Sequence, residues 1–220
     1  MQALGEAVDR ERRAMGRWQQ TRLWLGPAAA FLVGGIPFSN IAARLTRGVD
    51  LRGVANGTVS GTGLYRVAGF GPLAVAGVLE IGKGAVGPLL VGPEHPAARA
   101  LAAGLAVAGH NWSPFLRGAG GRGLSPAVGA LSVVAWPGSL VLLAGMAGGK
   151  LVRQAAPGSL VAQMALVPVL ARARGRRGAL AGAAVLAPML AKRLLGNAPA
   201  PGPRPGRVYL TRLLLDRDES

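Results

Sequence analysis

Three clusters of polar residues stand out in a 220-residue chain that is 50% hydrophobic. The first is GVDLRGVANGTVSGTGLYR, from Gly48 to Arg66. It sets Gly53, Gly57, Gly61 and Gly63 among Asn56, Thr58, Ser60 and Thr62, between Arg52 and Arg66. Glycines let backbone N–H groups approach an anion closely, hydroxyls add donors, and arginines bring charge in a fork that fits phosphate. Two readings fit this composition: a phosphate cradle, or a flexible loop between apolar segments. It is not a Walker A loop, because no Gly-Lys-Ser/Thr closes it. Asp50 and Arg52 read most simply as an ion pair that staples the loop.

The second cluster is Glu80 and Lys83, three residues apart in an apolar stretch and so on one face of a helix. An acid within a membrane segment is costly, and its presence points to function with a named partner. An ion pair that lets both residues sit in the bilayer is compatible with that. The third cluster is GHNWSPFLRGAGGRG, Gly109 to Gly123. Here His110 can exchange a proton with a phosphate or a substrate hydroxyl, beside Asn111. Arg117 and Arg122 surround the Gly120–Gly121 turn, and Gly123 follows, so a second glycine-rich basic turn repeats the chemistry of the first.

Several reaction classes are excluded. Neither His95 nor His110 is followed by the aspartate of an H-x-x-x-x-D acyltransferase dyad. Two separated histidines and three interior acids give no zinc or two-metal site, so no metal and no cofactor is expected. With no cysteine there are no disulfides and no thiol nucleophile. No G-x-S-x-G elbow is present.

The elements that must carry these clusters follow from composition. Net charge is +16 with 15% charged residues and a mean hydropathy of +0.36. A nucleic-acid binder explains the charge but not the apolarity; a polytopic membrane protein with basic loops explains both. Six of the nine acids lie at the ends, leaving Asp50, Glu80 and Glu94 inside. Residues 1–22 read as a polar, amphipathic or disordered tail without a signal-peptide cleavage pattern. Residues 23–197 read as one polytopic membrane domain. Residues 198–220 form a Pro-rich linker and a tail, in which VYLTRLLLDRDES is compatible with a short surface helix.

Within the membrane domain the apolar runs are Leu23–Ala43, Val67–Val91, the short Ala97–Gly109, Leu124–Gly149, Ser159–Ala171 and Gly178–Leu195. Trp136-Pro137-Gly138 is expected to break the fourth. The expected fold is all-α, with five to seven short or Gly/Pro-interrupted transmembrane helices and Gly-rich cytoplasmic loops. Charge bias predicts that the Arg44–Arg66 loop and the Arg172–Arg177 run share the cytoplasmic face.

In this order and spacing, the clusters resemble the polytopic acyl-phosphate-dependent glycerol-3-phosphate acyltransferases of bacteria, the PlsY type. GGIPFSNIAARLTRGVDLR and ANGTVSGTGLYR parallel the first family motif, keeping Ile36, Pro37, Phe38, Asp50, Arg52, Gly57, Thr62 and Arg66 in register. Leu79-Glu80-Ile81-Gly82-Lys83-Gly84 parallels the second. Gly109-His110-Asn111-Trp112, Phe115 and Ala119–Gly123 parallel the third, and a C-terminal motif leaves a remnant at Leu190–Leu195 that includes Arg193. The resemblance runs from about residue 30 to residue 196.

That resemblance implies transfer of a fatty acyl group from acyl phosphate to the 1-hydroxyl of glycerol 3-phosphate, without a covalent enzyme intermediate. The products are lysophosphatidic acid and phosphate, as in phospholipid synthesis. It implies catalytic roles for His110, Lys83 and Glu80. Phosphate or substrate binding falls to Asn56, Gly57, Thr58, Ser60, Thr62, Arg66, Gly120, Gly121, Arg122 and Gly123, with Asp50, Arg52, Asn111 and Arg193 as further candidates. The implied partners are the two phosphate substrates and membrane lipids, not nucleic acid, in a multi-pass protein of the bacterial cytoplasmic membrane. Several motif positions depart from the family: Asn56 replaces its serine, Thr58 and Gly63 its asparagines, Ala119 a lysine, and Leu190 the C-terminal asparagine. These departures also admit a relative that binds anionic lipid without catalysis, or one that uses another polyol phosphate.

Overall fold

A computed structural model describes residues 2–54, 57–198 and 205–216. Among them there is no strand; the chain runs α1 (Gln2–Gly35), α2 (Phe38–Arg47), α3 (Gly61–Ala68), α4 (Phe70–Val91), α5 (Pro96–Asn111), α6 (Leu124–Val134), α7 (Trp136–Leu151), α8 (Ala155–Leu195) and α9 (Pro205–Leu215). Single 3-10 turns stand at Leu51–Gly53 and Pro114–Leu116. The stretches Gln20–Arg47, Phe70–Val91 and Ala155–Leu195 are long and apolar enough to cross a bilayer, and Leu124–Val134 is a shorter apolar helix.

The element boundaries follow from Pro and Gly. The run expected to span from Leu23 to Ala43 stops at Gly35, because Ile36 and Pro37 leave the helix and α2 starts afresh at Phe38. Toward the N-terminus the same helix begins at Gln2. The break expected at Trp136-Pro137-Gly138 occurs at Ala135, with α7 starting at Trp136 and Pro137 in its first turn. Ser139 bridges the break by donating from Oγ to the Val128 carbonyl at 2.8 Å.

The largest departure lies in α8. Gly175 adopts φ 60° and ψ −147°, a conformation open to glycine, and reverses the helix. The two arms, residues 155–174 and 176–195, lie antiparallel. A Cβ at Gly178 would collide with the Leu170 carbonyl, and one at Gly182 would press on Leu166 and Val167. At the open end of the hairpin Arg193 Nη1 reaches Ser159 Oγ at 3.1 Å. Each arm has about 20 residues and so a length of roughly 30 Å, enough for one crossing. Arg172, Arg174, Arg176 and Arg177 therefore sit at the tip. The Gly57 and Gly120 loops contact Asn197, at the other end. The two basic clusters expected on one face are separated by the length of the arms, because charge counts assign a side only once the number of intervening crossings is known.

Helix packing rests on small residues. In a bilayer, burying an apolar side chain between helices brings little hydrophobic gain, so close backbone approach and hydrogen bonds carry association. A Cβ at Gly34 would strike the Ala106 backbone, and one at Gly109 the Phe31 carbonyl, which locks α1 to α5. Gly84 meets the Pro126 carbonyl and Gly129 the Ile81 carbonyl, which locks α4 to α6. Outward, Val75, Val78, Leu79 and Leu140 are exposed, as lipid-facing residues are. These seams bring the ends of α1 and α5 beside the middle of α4, with α8 packed on the other side of α5.

Candidate functional site

Glu80 is the hub. It is 3% exposed, with Oε1 hydrogen-bonded and Oε2 set between two basic side chains. Oε1 accepts from the Ser39 backbone N–H at 3.1 Å and from Ser39 Oγ at 3.2 Å. Oε2 lies 2.7 Å from Lys83 Nζ and 3.1 Å from His110 Nδ1. Lys83 also donates to the Ile36 carbonyl at 2.6 Å and sits over the Phe38 ring. That carbonyl is available because Pro37 interrupts the helix. The break in the first apolar run thus supplies a ligand for a buried ammonium. A buried charge pair is tolerated when its remaining donors and acceptors are filled, and here they come from α2 and α5.

A carboxylate beside Nδ1 favours a proton on that nitrogen, which leaves Nε2 as the nitrogen turned toward the glycine-rich turn. Nε2 faces Gly121, where a Cβ would collide with it. Glu80, Lys83 and His110 line a narrow cleft with Gly35, Ser113 and Gly120–Gly121. The three residues implied as catalytic are therefore brought together. Ser39 and Ser113 belong to the same site and were not singled out in the sequence; Ser113 Oγ donates to the Gly35 carbonyl at 2.6 Å.

The two glycine-rich turns are sewn to each other. Val59 N–H donates to the Gly120 carbonyl at 3.2 Å. Asn197 completes the seam: its Oδ1 accepts from Gly120 N–H at 3.1 Å, and its Nδ2 donates to the carbonyls of Gly57 and Gly120, both at 3.0 Å. Asn111 Nδ2 donates to the Pro188 carbonyl at 2.7 Å, tying the end of α5 to α8. Gly123, at φ 77°, opens α6 directly behind the turn, packed against Val107 and Asn111.

Several residues assigned to phosphate have other employment. Ser60 caps α3, its Oγ accepting from Gly63 N–H at 3.2 Å. Asp50 caps the first 3-10 turn and pairs with Arg44 and with Arg52 Nη2, the latter at 2.6 Å. The Arg52 guanidinium holds the Asp50 carboxyl far below the usual carboxylate range, and Asp50 in turn raises Arg52. This is the loop staple. Arg193 donates to the carbonyls of Leu213 and Ala156 and to Ser159 Oγ, which makes it a brace between both arms of α8 and α9. Thr62 and Arg66 are exposed on α3. Thr58 lies in the same turn. Asn56 falls outside the described residues.

Arg66, Lys83 and Arg122 do not converge on one anion. Lys83 is fastened to Glu80, Arg66 stands exposed, and Arg122 turns to the C-terminal end. Arg122 Nη1 donates to the Lys192 carbonyl at 2.7 Å, while Nη2 pairs with Asp216 at 2.7 Å. Lys192, 1% exposed, approaches the Gly118 carbonyl at 3.4 Å and the Trp112 ring at 5.3 Å. The positive charge of the site is thus split between a Lys83 side, already neutralised by Glu80, and an Arg122–Lys192 side.

Residues 24–197 match the protein-family model described as "Glycerol-3-phosphate acyltransferase". A glycerol-3-phosphate acyltransferase of Synechococcus sp. (strain CC9902) is 33% identical over 166 residues, which is 74% of this chain and 82% of the relative. "Glycerol-3-phosphate acyltransferase 5" of Dehalococcoides mccartyi (strain ATCC BAA-2266 / KCTC 15142 / 195) is 34% identical over 140 residues, covering 63% of this chain and 60% of its own length. The fold is similar to the crystal structure of PlsY (YgiH), an integral membrane glycerol 3-phosphate acyltransferase, in its glycerol 3-phosphate form. That match has a TM-score of 0.70 at 23% identity, over 78% of this chain and 88% of the other.

Proposed function

Because the chain belongs to the glycerol-3-phosphate acyltransferase family, we propose that it moves a fatty acyl group from acyl phosphate to the 1-hydroxyl of glycerol 3-phosphate. The observation that supports this most directly is the Glu80–His110 contact. A carboxylate on Nδ1 fixes the tautomer in which Nε2 accepts a proton, the arrangement a general base needs. In the proposed step the acceptor hydroxyl oxygen attacks the acyl carbonyl carbon and its proton passes to Nε2. The new ester C–O bond forms as the carbonyl carbon's bond to the phosphate oxygen breaks. The phosphate leaves with the electron pair and takes the proton back from His110. Lysophosphatidic acid and inorganic phosphate result, with no acyl-enzyme.

Acyl phosphate is already activated, so the protein mainly positions two phosphate-bearing molecules and offsets their charge. Arg122 and Lys192 supply that charge beside the Gly120–Gly121 turn, and backbone N–H groups of the glycine-rich turns orient the reactants. The lipid-facing apolar surface receives the acyl chain. In a bacterial cytoplasmic membrane, with the glycine-rich turns on the cytoplasmic side, glycerol 3-phosphate reaches the site from water and acyl phosphate from the lipid interface.

Purified protein given acyl phosphate and glycerol 3-phosphate is expected to release phosphate and form lysophosphatidic acid, and His110→Ala to abolish both. Turnover with another polyol phosphate only would reassign the acceptor. Silence with every acceptor would overturn the catalytic reading.

A further inference from the structure

We infer that the C-terminal helix α9 is a self-inhibitory latch, whose terminal Asp216 occupies the phosphate-binding guanidinium of Arg122. The inference rests on the proposed role of Arg122 in holding a substrate phosphate. Its evidence begins with the position of α9 outside residues 24–197, the part that matches the family model. The helix lies beyond the matched residues, and its end meets Arg122.

Two buried arginines anchor it. Arg212, 1% exposed, donates through Nη1 to the Leu195 carbonyl at 2.8 Å and through Nη2 to the Ala198 carbonyl at 2.9 Å. It thereby satisfies carbonyls at the end of α8, where a cation also suits the helix dipole. Arg193, from α8, donates through Nε to the Leu213 carbonyl at 2.6 Å. Val208 is buried at 1% exposure. None of these contacts involves the Asp216 carboxylate.

With α9 held this way, Asp216 follows as the residue that ends it. Its N–H donates to the Arg212 carbonyl at 3.1 Å, and it adopts φ 55°, a left-handed conformation that aspartate accepts better than most residues. That turn aims the carboxylate at Arg122 Nη2, 2.7 Å away. Arg122 and Lys192 stand together here, Arg122 Nη1 donating to the Lys192 carbonyl while Nη2 pairs with Asp216. A carboxylate on an arginine beside an unneutralised lysine is the geometry of an anion site filled from within.

Asp216 is 29% and Arg122 16% exposed, so the pair lies at the edge of the protein, with Asp216 Oδ1 itself buried against the guanidinium. Phosphate carries more charge than a carboxylate and can engage the guanidinium fork and Lys192 together. A phosphate-bearing substrate therefore displaces Asp216 rather than entering an empty site, and the latch sets the concentration at which the site fills.

The experiment uses the full chain purified in detergent, with inorganic phosphate as the probe and binding read by calorimetry. Asp216→Asn is expected to lower the half-saturating phosphate concentration by about three- to fivefold, the scale of a partly exposed ion pair. Asp216→Ser should do the same, and Arg122→Gln should remove binding in either background. Equal affinity in wild type and Asp216→Asn overturns the latch, as does the absence of phosphate binding to both. Weaker binding by Asp216→Asn also overturns it, since Asp216 would then be holding Arg122 in place for substrate. None of these outcomes depends on turnover, so failure of the latch and failure of the acyltransfer reading remain distinct.

Discussion

Glu80 Oε2 lies 3.1 Å from His110 Nδ1, joining two residues on different helices in a site closed to bulk water. The contact depends on the α4–α6 and α1–α5 seams, which leave no room to slide. His110→Ala should therefore lower kcat by roughly 10²- to 10⁴-fold, the usual contribution of a positioned general base. Phosphate affinity should change far less, because Arg122 and Lys192 rather than His110 supply the charge that holds it; a kcat/KM split with separate phosphate binding checks this. Glu80→Ala should add a folding defect of about 3–5 kcal/mol, since it leaves Lys83 buried without its counter-charge. Thermal unfolding of the two variants separates these effects.

Asn197 joins the two glycine-rich turns through three hydrogen bonds. Asn197→Leu is expected to lower kcat/KM by at least tenfold and to leave the Gly120 N–H without its partner, at a cost of about 1–3 kcal/mol. Asn197→Asp should be no better, because a carboxylate cannot donate to the Gly57 and Gly120 carbonyls. Hydrogen exchange at Gly120 reads the seam directly. Full activity in Asn197→Asp would show that the donors are dispensable.

Glycines in the helices fall into two kinds. A Cβ at Gly129 would collide with the Ile81 carbonyl, whereas one at Gly82 would meet nothing within 4 Å. Gly82→Ala should raise stability by about 0.5–1 kcal/mol through helix propensity. Gly129→Ala should separate α4 from α6, lowering both the melting temperature and activity. Unfolding of the pair in one detergent makes the comparison.

Asp50 gives the fold a limited acid sensitivity. Its folded carboxyl is held below the ordinary value, so its stabilising contribution is complete above about pH 5 and declines as pH falls through the folded value. The pair is partly exposed and the effect small. Asp50→Asn should flatten the pH dependence of hydrogen exchange at Arg52, whose backbone N–H donates to Asp50 Oδ1 at 3.0 Å in the native loop. An unchanged profile would exclude the staple.

How much of this was legible in the sequence depends on what holds each feature together. Glu80 and Lys83 share a helix, so their pairing follows from spacing. The break near Trp136 follows from Pro137. His110 was visible as a reactive group and its family motif marked it, but its contact with Glu80 is a tertiary fact that needs packed seams. Asn197 carried no signal, because an asparagine after a helix looks like any loop residue. Arg66, Lys83 and Arg122 stand apart because like charges in separate motifs settle on whichever acid or carbonyl is nearer, as Lys83 does on Glu80 and Arg122 on Asp216. Asp216 lies in a tail whose composition revealed no partner. Gly175 was hidden inside a run of arginines that read as an ordinary basic loop.

The reversal at Gly175 also constrains how the chain is made. Two apolar arms joined by so tight a turn pack glycines of one directly on the backbone of the other, so each arm's packing depends on its partner. If the catalytic end stays on the side of synthesis, the tip must be carried through the bilayer with four guanidinium groups. Each costs about 2.5–3.5 kcal/mol at the midplane on insertion scales. The arginine run then works against the orientation that a simple tally of loop charges would assign. The thrust for crossing has to come from the apolar arms behind it.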